Sequence, residues 1–357
     1  MENVLIEYRN KLSKLHKYNK RLQEIDKWAA KAELSEAPVI HMDTEALRTI
    51  RELFKDPSKR IYDYNLFIIT LYGILEGFIE QLIKAYLVSI SQRIEKYEDL
   101  PEIIKKNHLI FSADLIVNRS KMAKYTHISE RTIIDKLQGC LQDNKSFELN
   151  VEAFTNHASN FRKDAIREIF HNIGIENITS NICKCKTMQN YFVRYEPIED
   201  SDFAFYNEDT YFNMLSELVE RRNLIAHGSD VDDIFSLAIL DNYIYYIEAL
   251  LNSIYEICEK NMYTFIISHG NVHYLGKPIC VYNNEIVCIN SQYCVLKAGT
   301  IMFAQNETTQ EIKYGKILSI QYQKNELVST RKEESIDVGI KVTFYAKENW
   351  TYGIIEK

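Results

Sequence analysis

The pattern of apolar and polar positions along this 357-residue chain changes character once, near Met262. Before that point the apolar residues recur every three to four positions, the spacing of one helical face. The first thirty residues set Leu5, Leu12, Leu15, Leu22, Ile25 and Trp28 among Lys, Arg and Glu, which predicts an amphipathic helical arm. Asp43-Thr44-Glu45 predicts a short helix through Phe54, stopped by Asp56-Pro57-Ser58. Tyr62 to about Gln92 predicts the most apolar helix of the chain, and 101–140 a set of shorter ones, one capped by Ser129. A further helix falls between Phe154 and Asn172, closed by Gly174, followed by a polar stretch with Cys183-Lys184-Cys185. Another begins at Asp209 or Thr210 and ends at Gly228, and the acidic run 230–233 opens the last long helix, to about Lys260.

Beyond Met262, short runs rich in Val, Ile, Tyr and Thr alternate with turn residues: Asn283-Asn284, Lys324-Asn325-Glu326 and Lys347-Glu348-Asn349. Ile336, Val338, Ile340, Val342 and Phe344 alternate with Asp337, Gly339, Lys341 and Thr343, the period of a half-buried strand. The expected architecture is mainly α, a helical bundle followed by a small C-terminal antiparallel β domain, a sheet or barrel. The boundaries expected are an N-terminal arm over 1–59, a helical domain over 60–261 and a β-rich domain over 262–357.

Composition sharpens this picture in two respects. Only 11 Gly and 5 Pro favour long helices, and a net charge of −7 requires any nucleic-acid site to be a local basic patch. The seven cysteines begin at Cys140, and Met1-Glu-Asn-Val opens no signal peptide, so free thiols and a cytoplasmic location are expected. The apolar run from Leu66 to Leu87 is broken by Glu76, Glu80, Gln81 and Lys84, so it is read as a core helix with no membrane role.

Candidate chemistry concentrates at 211–228. Tyr211, Leu215, Leu218 and Ile225 form an apolar stripe, and the slot between the last two holds Arg222. An arginine on an inward stripe is costly unless paired or used. Asn223 and His227 stand one turn apart on a neighbouring face. A histidine can move a proton at a ribose 2′-OH or a leaving 5′-oxygen, and a guanidinium suits charge gathering on phosphate. Asn223 can orient the imidazole or donate to the phosphate. Together these residue types suit RNA cleavage by the internal 2′-OH, giving 2′,3′-cyclic phosphate and 5′-OH ends without a metal or other cofactor.

Arg222-Asn-Leu-Ile-Ala-His227 resembles the Arg-x4–6-His motif of the HEPN superfamily. Asn156-His157-Ala158-Ser159-Asn160-Phe161-Arg162, followed by Ile169–Ile175, is similar to the middle segment of its RiboL-PSP-type branch. Glu76 resembles the acid of that branch's early core helix. The resemblance covers roughly 60–260. It implies a homodimer in which two motifs face each other across a cleft, with Arg221 adding to the positive patch. It also implies an RNA substrate, a toxin or anti-phage role, and an inhibitory or sensor protein as a further partner. Catalysis is assigned to Arg222, His227 and Asn223, with Arg221, Glu76, Glu80, Arg162 and Asn160 in support.

Plainer readings stand beside these. Glu76 and Glu80 fall on the same stripe as Ile69, Gly73, Ile83 and Leu87, and one of them either positions Arg222 or forms a buried salt bridge between helices. Ser159 or Asn160 is favoured as a helix cap, Arg162 is left open, and His157 and His171 are read as ordinary histidines. Cys183-x-Cys185 is too closely spaced for zinc, and no metal site is assigned. Tyr282, Tyr293, Tyr314, Tyr322, Phe344, Tyr345, Trp350 and Tyr352 are read as cross-strand packing before base stacking. The competing function is a non-catalytic HEPN dimer that binds RNA or a protein.

Overall fold

In the computed structural model, residues 1–34, 52, 56–121, 123–142, 147–156, 160–195, 207–228 and 233–355 are described. The short helix expected from Asp43 to Phe54, apart from residue 52, lies outside them, as do His157, Ser159, Asp230 and Asp232. The chain divides into two units: residues 1–88, 101–140 and 148–259 form the first, and 89–100, 141–147 and 260–357 the second. The architecture is mainly helical with a C-terminal antiparallel sheet.

Helix α1 (Glu2–Leu34) follows the predicted periodicity, burying Leu5, Tyr8, Leu12 and Leu15. It is fastened by polar contacts as well. The nearly buried Asp241 carboxylate accepts from Asn19 Nδ2 at 2.7 Å, Gln23 Nε2 at 2.7 Å and Lys20 Nζ at 2.6 Å. Burial alone would raise that carboxyl, but the bonds from Lys20, Asn19 and Gln23 bring it below the ordinary value.

Helix α2 spans Pro57–Ser91. Asp56-Pro57-Ser58 opens it, whereas the sequence suggested a stop. Asp56 Oδ1 accepts the Ser58 N–H at 2.8 Å, and proline at the first helical position loses no bond. The inward stripe also differs from expectation. Ile69 is 40% exposed and Gly73 is exposed, while Ile68, Leu71, Leu75, Phe78, Ile79, Leu82 and Ile83 are buried. By length and composition Ser58–Ser91 is apolar enough to cross a membrane, yet these side chains are buried against protein, as in a core helix.

Helices α3 (Glu102–Asn118) and α4 (Glu130–Leu141) follow, and Ser129 Oγ caps α4 by accepting the Thr132 N–H at 3.0 Å. Helix α5 is Lys163–His171, with Gly174 at φ +80° closing the turn beyond it. The polar stretch after it folds into α6 (Ile178–Lys184) and α7 (Lys186–Tyr195). Helix α8 (Glu208–Ala226) precedes α9, which runs Leu237–His269, about nine residues beyond the predicted end.

The second unit contains eight strands: β1 (Val272–Gly276), β2 (Cys280–Tyr282), β3 (Ile286–Asn290), β4 (Ile301–Gln305), β5 (Ile312–Tyr322), β6 (Asn325–Leu327), β7 (Asp337–Val342) and β8 (Thr351–Ile355). Their order is β1-β8-β4-β5-β7-β3-β2, with β6 on β5 and every pairing antiparallel. This is an open path. The long β5 pairs with β4 through Ile312–Lys316 and with β7 through Ile317–Gln321. Val338, Ile340 and Val342 are buried as their alternation predicts. Trp350 and Tyr352 belong to the sheet core, whereas Tyr282, Tyr293 and Tyr345 are exposed.

One buried titratable group ties stability to pH. His108 on α3 is fully buried, and its Nε2 accepts the Asn150 N–H at 2.9 Å, which requires a neutral ring. Burial, with Lys136 nearby, pushes its pKa down to about 4. The unfolded chain takes up the proton near pH ~6.5, so stability present above that pH is lost as pH falls towards 4. The loss from this group is about 3 kcal/mol. Melting temperature should therefore fall across that window more steeply in the wild type than in His108→Gln, whose amide oxygen can still accept from Asn150. Equal slopes would remove His108 as the cause.

Candidate functional site

Helix α8 is set at both ends by its own sequence. Asn207 Oδ1 accepts the Thr210 N–H at 3.0 Å, and Glu208 and Asp209 lie in the positive first turn. At the other end His227 has φ −89° and ψ 2°, and Gly228 turns left-handed at φ +72°. Tyr211, Phe212, Leu215, Leu218 and Val219 bury the helix against the first unit. The slot that follows is occupied by Arg222, half-buried.

The Arg222 side chain is held by neutral groups. Its Nη1 donates to Asn160 Oδ1 at 3.1 Å and to Asn223 Oδ1 at 3.0 Å. The Tyr72 ring lies beneath it, 4.9 Å from the guanidinium carbon to the ring centroid. Asn160 Nδ2 also donates to Asn223 Oδ1 at 2.9 Å, so both amide oxygens face the cation. Tyr72 holds the loop in turn: its hydroxyl accepts the Phe161 N–H at 3.1 Å and donates to Asn160 Oδ1 at 3.4 Å. Burial raises the Tyr72 phenol, which keeps the proton it donates. Among the described residues no carboxylate lies within ion-pair distance of Arg222. The site therefore presents an oriented positive charge, and beside it an Asn223 Nδ2 with no acceptor among the described residues.

The other predicted residues separate. Arg221 donates to Glu217 Oε1, to Tyr64 Oη and to the Asp233 carbonyl, and its guanidinium stacks 3.5 Å from the Phe235 centroid. Tyr243 Oη donates to the other oxygen of Glu217 at 2.6 Å. Arg221 is thus a structural clasp, away from the Asn160 and Tyr72 cradle. Glu80 is ion-paired with Lys124, which fits the helix-holding alternative, and Glu76 lies one turn beyond Tyr72 and acts on its phenol. Arg162 reaches Glu220 at 3.8 Å across a surface. Asn160 caps no helix, because Arg162 occupies the N-cap of α5, and its amide is spent on Arg222 and Asn223. His171 pairs with Glu176 at 2.7 Å on the surface.

His227 stands exposed at the C-cap of α8, its N–H donated to the Asn223 carbonyl at 3.0 Å. Its imidazole has no hydrogen-bond partner among the described residues. Arg222, Asn223 and Asn160 are thus brought together directly, with His227 one turn further along the helix.

A family model described as RiboL-PSP-HEPN matches residues 5–260. The chain belongs to that family. No curated protein and no solved structure matches it. The HEPN match extends beyond the motif segments at 60–260 and takes in most of α1. HEPN domains act as nucleases or bind RNA, and commonly dimerise.

Tyr72, which holds Arg222 and the Asn160 segment, is not singled out by the sequence. Its signal was weak: a polar-tipped aromatic one turn before Glu76, on the face that rotates inward once Ile69 and Gly73 are placed outside.

The two adjacent arginines should behave oppositely. Arg221→Ala removes a stacked, multiply bonded clasp and should cost about 2–3 kcal/mol, lowering Tm by roughly 3–6 °C. Arg222→Leu removes a half-buried charge that has no carboxylate partner among the described residues, and should leave Tm unchanged or raised. Thermal melts of both variants check this. A large loss in Arg222→Leu would mean that Arg222 is structural.

Proposed function

We propose that this HEPN protein is an endoribonuclease that cleaves RNA by attack of the ribose 2′-OH on the adjacent phosphate. The observation supporting this reading is the neutral cradle of Arg222, which fixes a guanidinium in place with no carboxylate partner among the described residues. Such a group gains most when negative charge builds on a phosphate in front of it. Asn223 Nδ2 adds a second donor to a phosphate oxygen. His227, at the end of the same helix, is the proton carrier for the 2′-OH or the departing 5′-oxygen. The nucleophile belongs to the substrate, so the residues named suffice and the scheme assigns no metal.

The family's dimeric habit supports a working form in which two α8 ends share a cleft, which supplies the basic patch that a net charge of −7 does not. We further propose a cytoplasmic role as a toxin or anti-phage effector, held in check or triggered by a protein partner.

One observation favours the non-catalytic alternative. Asn223 Oδ1 is engaged by Arg222 and Asn160, so it does not orient His227. A binder would need Arg222 and be indifferent to His227.

Total RNA from cells expressing wild type, His227→Ala and Arg222→Ala decides between them. The nuclease predicts discrete cuts with 2′,3′-cyclic phosphate and 5′-OH ends, reduced about 100-fold or more by either variant, and relief of growth arrest by both. Asn160→Ala should lower cleavage about 10-fold with little change in Tm, because it frees Arg222 without opening the core. Salt-dependent RNA retention lost in Arg222→Ala but kept in His227→Ala, with no cuts in any sample, would replace the nuclease by the binder.

A further inference from the structure

The β2–β3 hairpin brings two cysteines into direct opposition. Antiparallel register pairs Cys280 with Cys288, Val281 with Val287 and Tyr282 with Ile286, around a tight turn with Asn283 and Asn284 at φ 50° and 56°. Alternation sends Val281 and Val287 to the sheet core, leaving Cys280, Tyr282, Ile286 and Cys288 on the opposite face. Directly opposed residues in an antiparallel pair have Cα atoms about 4.5 or 5.5 Å apart. Both spacings fall within the roughly 4.4–6.8 Å that a disulfide requires. The two thiols influence each other, Cys280 adding to the burial that raises the Cys288 thiol. Both are free and only half-buried, whereas Cys140, Cys258 and Cys294 are buried. The strand that carries Cys280 is three residues long and ends the sheet order, so the hairpin can be approached from outside.

We propose that Cys280 and Cys288 are a vicinal dithiol that closes to a cross-strand disulfide by exchange with a low-molecular-weight disulfide such as oxidised glutathione. In the first step the Cys280 thiolate attacks one sulfur of the small disulfide, forming a mixed disulfide and releasing one small thiol. In the second, Cys288 gives up its proton to solvent, attacks the Cys280 sulfur and expels the second small thiol. Two protein thiols are oxidised by two electrons, and one small disulfide is reduced to two thiols. Burial raises the Cys288 thiol to about 11, which disfavours it as the first attacker; it acts in the resolving step, where the partner sulfur is already adjacent. Closure fastens the edge strand that presents the exposed Tyr282.

The test uses the full chain, equilibrated with glutathione at graded ratios of oxidised to reduced form, quenched in acid, alkylated and mapped by peptide mass. The expected result is one 280–288 disulfide, lighter by two hydrogens, formed in a single two-electron transition while the buried cysteines stay reduced. Cys288→Ser should stop at a mixed disulfide on Cys280. The reduced wild type should bind one phenylarsine oxide per chain, and either serine variant should lose that binding. Free Cys280 and Cys288 in fully oxidised glutathione, a stable mixed disulfide in the wild type, or pairing with another cysteine would each overturn the proposal.

Discussion

The physical constraint on which the candidate site depends is the cost of holding a guanidinium half out of water without a counter-charge among the described residues. A neighbouring carboxylate would repay that cost, but it would also cancel the field the site presents. The arrangement here takes a middle course. Two amide oxygens and an aromatic face each return part of the lost hydration, and none carries a formal charge. The α8 carboxyl end contributes too, because the partial negative charge of a helix C-terminus favours a cation in its last turn. Arg222 is therefore tolerated where it stands and remains attractive to an anion.

Adjacent positions on the same helix show how much depends on surroundings. Arg221 and Arg222 are chemically identical and consecutive, and a helix rotates them by about 100° relative to each other. That rotation sends Arg221 to Glu217, Tyr64 and Phe235, where its charge is paired and its plane is stacked. Glu217 is itself anchored by Tyr243, so the clasp links α8 to α2 and α9. The clasp fixes the rotation of α8, and with it the direction in which Arg222 points. Stability and reactivity are thus assigned to neighbouring residues, and the second relies on the first.

Much of this was legible in the sequence. The period of 3.6 marked the helices, the slot between Leu218 and Ile225 singled out Arg222, and strict alternation located β7. The misreadings concern residues whose role is decided by a bond or a packing angle that the pattern along the chain does not carry. Asp56-Pro57 reads equally as an end or a beginning until the Ser58 amide is seen to use Asp56. Asn160 resembles a cap because asparagine before a helix usually is one, yet its partner is 62 residues away on α8. A small angular error on α2 put Ile69 and Gly73 inside, and this obscured Tyr72.

Tyr72 explains why the cradle is built from three separate segments. Its ring supports Arg222 from α2, its hydroxyl fixes the 160–161 backbone, and that backbone presents the Asn160 oxygen to the same arginine. Each contact is modest alone, on the order of 1 kcal/mol. Together they share a common geometry, so displacing one loosens the rest. A guanidinium fixed from three directions has lost its conformational freedom during folding, before any phosphate arrives. An anion that meets it spends little binding energy on ordering the site. The same preorganisation would serve tight binding or transition-state stabilisation, and the difference between them rests on His227, which α8 carries one turn further on and leaves open to solvent.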